Sequence, residues 1–176
     1  MKRTRLFTGR WLNLESVPHT GRDGTERPWE FCSRTNAARA VAVIARLKNP
    51  ERIVLVRQWR APMNAWTLEF PAGLLDEGDT PESAALRELK EETGYEAVVT
   101  RKGQEVCSSP GMTDETVGWV EVEITNHGQA APQDDELIET VILPLENLRA
   151  RIDEYCAQGD RVEGKLYGFA RALEIK

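Results

Sequence analysis

The chain has 176 residues, 40% of them hydrophobic and 30% charged, a composition typical of a folded domain and not of a disordered chain. Its formal net charge of -6 argues against a general nucleic-acid binder, because such proteins surround phosphates with Lys and Arg. No apolar run approaches the roughly 20 residues that a membrane span needs, and the basic N-terminus lacks the apolar stretch of a signal peptide. Three widely spaced cysteines match neither a disulfide framework nor a metal motif, so we expect a cytoplasmic protein.

The first part of the chain, residues 1–36, is polar and rich in turn-forming residues. The turn signal at residues 20–24 predicts a β-hairpin between strands at 11–18 and 25–34. Because an isolated hairpin is only marginally stable in water, we expect it to pack on the body of the protein or on a second subunit.

The rest of the chain, residues 37–176, combines apolar runs typical of buried strands with segments of helical period. This order predicts an α/β or α+β fold with a mixed sheet. Strands are predicted at residues 38–45, 53–56, 67–70, 120–124 and 137–143. Helices are predicted at residues 81–93, 145–157 and 164–173, and a loop rich in Gly, Gln, Pro and Asp at residues 126–135.

The helix at residues 81–93 has the clearest boundaries. Thr80 can cap it, Pro81 suits the first helical position, and Glu82 lies near the positive end of the helix dipole. Gly94 can adopt the left-handed conformation that ends a helix. Both ends of this helix are therefore predicted from local signals alone.

Three glutamates on this helix, Glu88, Glu91 and Glu92, are spaced i, i+3 and i+4 and share one face within an arc of about 100°. Their mutual repulsion destabilises the helix, and a hard divalent cation would offset it, since Mg²⁺ prefers carboxylate oxygens. The alternative is an acidic face that is simply solvated, because Glu is a good helix former. The three glutamates by themselves leave both interpretations open.

The surrounding segment, residues 73–95, reads GLLDEGDTPESAALRELKEETGY. It strongly resembles the Nudix box, in which a Gly and an acid at fixed gaps precede Arg-Glu-aliphatic-x-Glu-Glu-x-Gly-aliphatic. Two positions depart from that pattern: Asp79 stands where the family usually has Glu, and Tyr95 stands where an aliphatic residue is usual. The resemblance implies an α/β/α sandwich with a mixed sheet, to which the N-terminal segment adds a small antiparallel sheet.

The same resemblance implies a hydrolase that cleaves a nucleoside diphosphate linked to another moiety, with Mg²⁺ or, as a substitute, Mn²⁺. Glu88 and Glu92 would be the main metal ligands, Glu91 a further ligand or water-orienting group, and the backbone carbonyl of Ala72 another ligand. Arg87 would orient the glutamates without touching the substrate. The metal ions would neutralise diphosphate oxygens and lower the pKa of a bound water.

Three further segments are similar to the ADP-ribose and nucleoside-diphosphate-sugar pyrophosphatase branch of the family. They read QWRAP at residues 58–62, LEFPAG at 68–73 and SPGMTDE at 109–115. Members of this branch exchange an N-terminal sheet between two subunits, so the resemblance implies a homodimer in which residues 1–36 serve dimerisation and base binding.

Specific substrate contacts follow from the same branch. Trp11 and Trp29 on the N-terminal strands would stack on the base, a contact that is nearly indifferent to base identity. Arg34 and Arg60 match positions that contact the phosphates or the terminal ribose, and a guanidinium fork suits phosphate oxygens in an acidic pocket. Glu136 matches the loop glutamate that acts as general base. The alternative candidates for the base are Glu115 and Glu139.

The sequence thus predicts Mg²⁺-dependent hydrolysis of ADP-ribose or a related nucleoside diphosphate sugar to a nucleoside monophosphate and a sugar phosphate. One alternative is a Nudix pyrophosphatase for another nucleotide, such as GDP-mannose, a dinucleoside polyphosphate or a nucleoside triphosphate. Another is a Nudix module that binds nucleotides without catalysis. None of these interpretations requires a nucleic-acid or membrane partner.

Overall fold

The computed structural model describes residues 2–36, 39–132 and 136–175, which form two sheets and three α-helices. No helix within these ranges is long and apolar enough to cross a bilayer. The strands are β1 (Thr4–Thr8), β2 (Leu12–Thr20), β3 (Glu26–Arg34), β4 (Arg39–Leu47), β5 (Arg52–Arg60), β6 (Ala65–Glu69), β7 (Ala72–Leu74), β8 (Tyr95–Cys107), β9 (Thr116–His127), β10 (Ile138–Pro144) and β11 (Arg161–Val162). The helices are α1 (Pro81–Thr93), α2 (Leu148–Ala157) and α3 (Gly164–Glu174).

The N-terminal segment forms a three-stranded antiparallel sheet in the order β1-β2-β3. The predicted hairpin is present, and its turn is closed by Gly24 at a φ of 76° and by the Asp23 carboxylate, which accepts from the Thr25 N–H at 3.1 Å. Strand β1, which was not predicted from the sequence, pairs along β2 as a third strand. All five residues of β1 are exposed, so no alternation of buried and exposed positions marks it in the sequence.

The large sheet has the order β11-β6-β5-β4-β9-β8, with β10 paired to β5 and β7 paired to β4. It is mixed, as predicted, because β4 runs parallel to β9 and β6 runs parallel to β11, while the other pairs are antiparallel. Strand β8 was missed by the sequence analysis, since most of its residues are exposed and no apolar run marks it.

Helices cover both faces of the large sheet. On one face Ala84, Ala85 and Leu89 of α1 pack against apolar side chains of β4, β5 and β9. On the other face α2 and α3 contribute Ile152 and Leu166 to a second core around Phe70. The structure therefore confirms the predicted α/β/α sandwich with a mixed sheet and a small additional antiparallel sheet.

Helix α1 begins and ends at the predicted residues. Its capping box is reciprocal, since the Ser83 N–H donates to the Thr80 hydroxyl at 3.1 Å and the Thr80 N–H donates to the Ser83 hydroxyl at 3.0 Å. Gly94 has a φ of 75° and its N–H donates to Lys90 O at 2.8 Å. By contrast, α2 begins three residues later than predicted, because Asn147 adopts a left-handed conformation before it.

Replacing Leu89 by Ala tests how strongly α1 is held on the sheet. The side chain is fully buried, so its removal should lower the free energy of unfolding by about 2–5 kcal/mol. Urea unfolding followed by circular dichroism measures the change. The exposed Leu137→Ala is the matched control, and a Leu89→Ala protein as stable as this control would contradict the packing described.

Candidate active site

A cavity of about 480 Å³ opens between α1, the ends of β4, β7 and β9, and the residues that precede and begin α3. It collects many of the side chains predicted from the sequence to form the site. The predicted residues that line it are Arg34, Arg60, Ala72, Arg87, Glu88 and Glu136. The other four, Glu91, Glu92, Trp11 and Trp29, are not part of the lining and are described separately below.

Glu88 reaches the cavity by passing directly over Gly73. A Cβ atom built on Gly73 would lie 2.0 Å from the Glu88 carboxyl carbon, so any other residue at position 73 would displace the Glu88 carboxylate from this place. Burial raises the pKa of Glu88, and the neighbouring Arg87 only partly offsets that effect. The β7 backbone and an α1 carboxylate therefore approach each other closely at this point.

Glu92 lies one helical turn further along and is only 5% exposed. Its Oε2 accepts a hydrogen bond of 3.2 Å from the backbone N–H of Ala72. Burial raises the pKa of Glu92 to about 9, and the charges of Glu88 and Glu136 contribute to the increase. Two carboxylates are therefore held together with too little positive charge nearby to compensate both.

Arg87 connects these acids to the backbone. Its Nη1 donates to Glu88 Oε1 at 2.8 Å and approaches Glu91 Oε2 at 3.5 Å. Its Nη2 donates to Leu74 O at 3.0 Å and to Asp79 Oδ2 at 3.2 Å. Glu91 is itself only half-buried at the edge of this group, so the three glutamates do not converge on a single point.

Asp79, the departure from the usual box residue, takes part in the same network. Its carboxylate accepts from the Ser83 hydroxyl at 2.9 Å and from the Asp76 N–H at 3.2 Å, as well as from Arg87. Hydrogen bonds with Ser83 and the Asp76 backbone lower its pKa. Asp79 thus stabilises the start of α1 and positions Arg87, and it does not line the cavity.

The other two arginines are each paired with a carboxylate. Arg60 forms a bidentate pair with Glu69, with both N–O distances at 2.7 Å, and this pairing raises the pKa of the guanidinium. Arg34 donates from Nε to Glu115, which was an alternative candidate for the general base. The sequence analysis missed Glu69, although an acid inside an apolar strand signals a buried partner.

Glu136 is half-buried in the cavity wall and close enough to raise the pKa values of Glu88 and Glu92 by its charge. The loop that leads to it is fixed to the end of α1, since the Ala131 N–H donates to Glu91 O at 2.8 Å. The other alternative base, Glu139, pairs with Arg57 at 3.1 Å and lies outside the cavity lining. Of the predicted loop, residues 133–135 lie outside the described part of the chain.

The two predicted base-stacking residues lie apart within one chain. Trp11 is 62% exposed beside Phe7, whereas Trp29 is 45% exposed and lines a separate cavity near Pro110. The Trp29 Nε1–H donates to Gly111 O at 3.3 Å, so the N-terminal sheet contacts the segment that carries Glu115. One chain alone does not bring these two tryptophans together.

The donor set fits a hard divalent cation that keeps other ligands. Among the described residues, no group of three His, Cys, Asp or Glu side chains is arranged to hold a metal ion by itself. Glu88 and Glu92 nevertheless supply buried carboxylate oxygens with raised pKa values, next to the Ala72 backbone. Mg²⁺ is commonly bound through one or two carboxylates together with waters and substrate phosphates.

The pKa of Glu92 predicts a specific dependence of stability on pH without divalent cations. The folded chain keeps the Glu92 proton up to about pH 9, whereas the unfolded chain releases it near 4.5. The contribution of Glu92 to the free energy of unfolding is therefore fully present below the pKa of the unfolded chain. It decreases as the pH rises towards the pKa of the folded chain, by up to about 1.4 kcal/mol per pH unit. Glu92→Gln should become steadily more stable than the wild type over this range.

Urea unfolding in EDTA between about pH 5 and about pH 9 measures this difference. The exposed Glu146→Gln serves as the control and should follow the wild type throughout. Parallel curves for the wild type and Glu92→Gln would show that the carboxyl is ionised in the folded chain.

Comparison with known proteins agrees with this geometry. The family described as NUDIX domain matches residues 37–160. The chain is 34% identical to the ADP-sugar pyrophosphatase of Mus musculus, over 96% of this chain and 84% of that protein. It is 29% identical to the ADP-ribose pyrophosphatase of Saccharomyces cerevisiae, over 93% and 77%. A crystal structure of an ADP compounds hydrolase shares the fold, with a TM-score of 0.70 and 22% identity over 87% of this chain and 81% of that one. The chain is therefore a member of the Nudix hydrolase family.

Proposed function

We propose that this protein hydrolyses the diphosphate bond of ADP-ribose or a related nucleoside diphosphate sugar, with Mg²⁺ as cofactor and Mn²⁺ as a substitute. The products are a nucleoside monophosphate and a sugar phosphate. The activities named for the mouse and yeast relatives support this substrate class. Hydrolysis breaks one P–O bond of the diphosphate and adds the elements of water across it.

The observation that carries the proposal is the combination of arginines and buried carboxylates around one cavity. Arg34 and Arg60 offer guanidinium groups for phosphate oxygens, while Glu88 lines the same space and Glu92 lies beneath it. An anionic diphosphate would be repelled by these acids alone. A divalent cation between the carboxylates and the diphosphate would reconcile the two charges.

Residues of this chain would bind the cation, position its ligands and accept a proton. Glu88 and Glu92, with the backbone carbonyl of Ala72, would hold the cation, and Arg87 would keep Glu88 in place through its hydrogen bond of 2.8 Å. A bound Mg²⁺ would supply charge neutralisation and a water of lowered pKa. Glu136 would accept the proton of the attacking water, since its charge acts on both glutamates. Glu91 would orient that water or complete the ligand set.

The base would be bound at an interface between two subunits. Apolar side chains on the N-terminal sheet, including Phe7 and Trp11, are exposed in the single chain. Pairing of two copies through residues 1–36 would cover them and would bring Trp11 of one copy towards Trp29 of the other. Stacking on a tryptophan contributes about 1–3 kcal/mol per base. We further place the enzyme in the cytoplasm, because its three cysteines are unpaired.

A panel of nucleotides in Mg²⁺ and water labelled with heavy oxygen tests the reaction. We expect the highest kcat/KM with ADP-ribose or another nucleoside diphosphate sugar, and one labelled oxygen in a monophosphate product detected by mass spectrometry. Glu88→Gln should reduce kcat by about 100-fold or more, because the loss of one charge-stabilising group costs roughly 2.7–4 kcal/mol of transition-state stabilisation.

The exposed Glu146→Gln is the control and should retain wild-type turnover. A higher kcat/KM with a nucleoside triphosphate would overturn the proposed substrate class. Tight binding of ADP-ribose without hydrolysis in Mg²⁺ or Mn²⁺ would indicate a binding module instead of an enzyme.

The oligomeric state follows from the exposed apolar side chains of the N-terminal sheet. Light scattering at micromolar concentration should give twice the chain mass of 19.9 kDa. Phe7→Asp should give monomers and a higher KM, because a charge at the 65% exposed Phe7 would be buried in the interface. Val98→Asp, at an exposed position of β8, should stay dimeric. An active wild-type monomer would refute the shared base site.

A further inference from the structure

Two residues that the sequence analysis did not single out, Glu163 and Lys165, also line the active-site cavity. They lie where β11 leads into α3. Strand β11 pairs in parallel with β6, with Val162 opposite Leu68, and the Glu163 N–H donates to Leu68 O at 3.0 Å. This short pairing fixes both side chains beside the end of β6, which carries Glu69.

The pair enters the cavity from a different part of the sheet than Arg34. Strand β11 pairs with β6, whereas β9 pairs with β4. Strands β4 and β6 pair with different stretches of the same edge of β5, because β10 pairs with the other edge. Glu115, which binds Arg34, immediately precedes β9, whereas Glu163 immediately follows β11. Glu88 lies over Gly73 of β7, which pairs with β4 and follows β6 in the chain.

This placement assigns different parts of the cavity lining to different parts of the substrate. Arg34 and Glu115 adjoin the N-terminal sheet, where the proposed base site lies, and Glu88 marks the proposed position of the diphosphate. With the base beside Arg34 and the diphosphate at Glu88, the lining left for the second moiety is the part that includes Glu163 and Lys165. The chemistry of this pair then determines which second moieties are accepted.

The pair has unused hydrogen-bonding capacity. Lys165 Nζ forms an ion pair with Glu163 Oε1, and an ammonium has two further N–H donors. Glu163 Oε2 is buried and makes no hydrogen bond of standard geometry among the described residues, although the Phe70 N–H lies close enough to the carboxylate to lower its pKa slightly against the larger effect of burial. A buried carboxylate oxygen without a partner is costly, and a ligand hydroxyl would remove that cost.

The charges near the pair disfavour a further phosphate. Lys165 is already neutralised by Glu163, so the pair offers no net positive charge to a phosphate. Glu69 also lies close enough to Glu163 to raise its pKa, in addition to the larger effect of burial. A neutral group with several hydroxyls fits this environment, because it can donate to Glu163 and accept from Lys165.

We propose that Glu163 and Lys165 form a subsite for the hydroxyl groups of the second moiety and select a sugar over a further phosphate. Glu163 Oε2 accepts a hydrogen bond from one hydroxyl, and Lys165 Nζ donates to a neighbouring oxygen. This inference rests on the proposed function, because it assumes that the diphosphate lies at Glu88. It identifies residues that determine specificity and assigns them no part in bond cleavage.

The test compares two substrates that differ only in the second moiety: ADP-ribose and the methyl ester of ADP, which has no sugar there. Lys165→Met and Glu163→Gln should raise KM for ADP-ribose about 10- to 100-fold, as expected for a lost hydrogen bond to a charged group. Values of kcat should change little, and KM for the methyl ester should stay within about twofold, which is near experimental scatter. The ratio of kcat/KM for ATP to that for ADP-ribose should increase.

Three controls keep this test decisive. Lys102→Met removes the lysine of an exposed pair with Glu82 and should behave as the wild type. The double variant Glu163→Gln/Lys165→Met removes both charges, so no unpaired charge is left buried, and it should show the same substrate-specific loss. Thermal unfolding of each variant separates a loss of folding from a loss of contact.

Equal losses with both substrates, or no loss with either, would overturn the sugar subsite. Calorimetric binding in EDTA separates this result from failure of the proposed function. A wild-type chain that binds ADP-ribose more tightly than the methyl ester, yet hydrolyses neither in Mg²⁺, would refute the enzyme and support the subsite. Equal affinity for the two ligands would refute the subsite whether or not hydrolysis occurs.

Discussion

The close approach of Glu88 to the backbone at Gly73 is the constraint on which the site depends. It holds one carboxylate at the cavity and leaves Glu92 buried immediately behind it. Burial of the two acids in this position disfavours their ionisation, and the pKa values of both are raised. The folded chain therefore maintains an unfavourable arrangement of charge that a divalent cation would relieve, as is common where structure serves binding and not stability.

The rest of the fold positions substrate groups around that pair of acids. Arg87 joins α1 to the backbone at the end of β7, so the helix and its carboxylates are held in place on the sheet. Parallel pairing of β4 with β9 and of β6 with β11 brings Glu115 and Glu163 into the lining of one cavity. Each of the other positively charged side chains that line the cavity forms an ion pair with an acid. These ion pairs fix the orientation of the side chains before a ligand binds.

Local signals made part of this structure predictable. Helix α1 is capped by Thr80, through its side chain, and by Gly94, through its left-handed backbone conformation. Because both caps depend on the preferences of single residues, the ends of the helix were predicted correctly from the sequence. Resemblance to a known family brought Arg34, Arg60 and Glu136 into consideration, and all three line the cavity. Their chemical roles remain predictions, as does the dimer.

Other features depend on long-range pairing and carry no local signal. Strands β1 and β8 are largely exposed, so neither shows an apolar pattern. Glu69 joins the site through the pairing of β6 with β5, and Glu163 does so because β11, two residues long, pairs beside β6. Asp79, which departs from the usual Glu of the box, binds Arg87 and the Ser83 hydroxyl at the start of α1, and the sequence alone did not predict these contacts.

Proton release on Mg²⁺ binding tests the central claim most directly. Calorimetric titration in buffers of different ionisation enthalpy at about pH 7.5 gives the number of protons released per bound ion. If the cation binds the Glu88–Glu92 pair, close to one proton should be released by the wild type and none by Glu92→Gln, because Glu92 has a pKa of about 9 before binding. Binding without proton release in the wild type, or the same release in both proteins, would contradict the account.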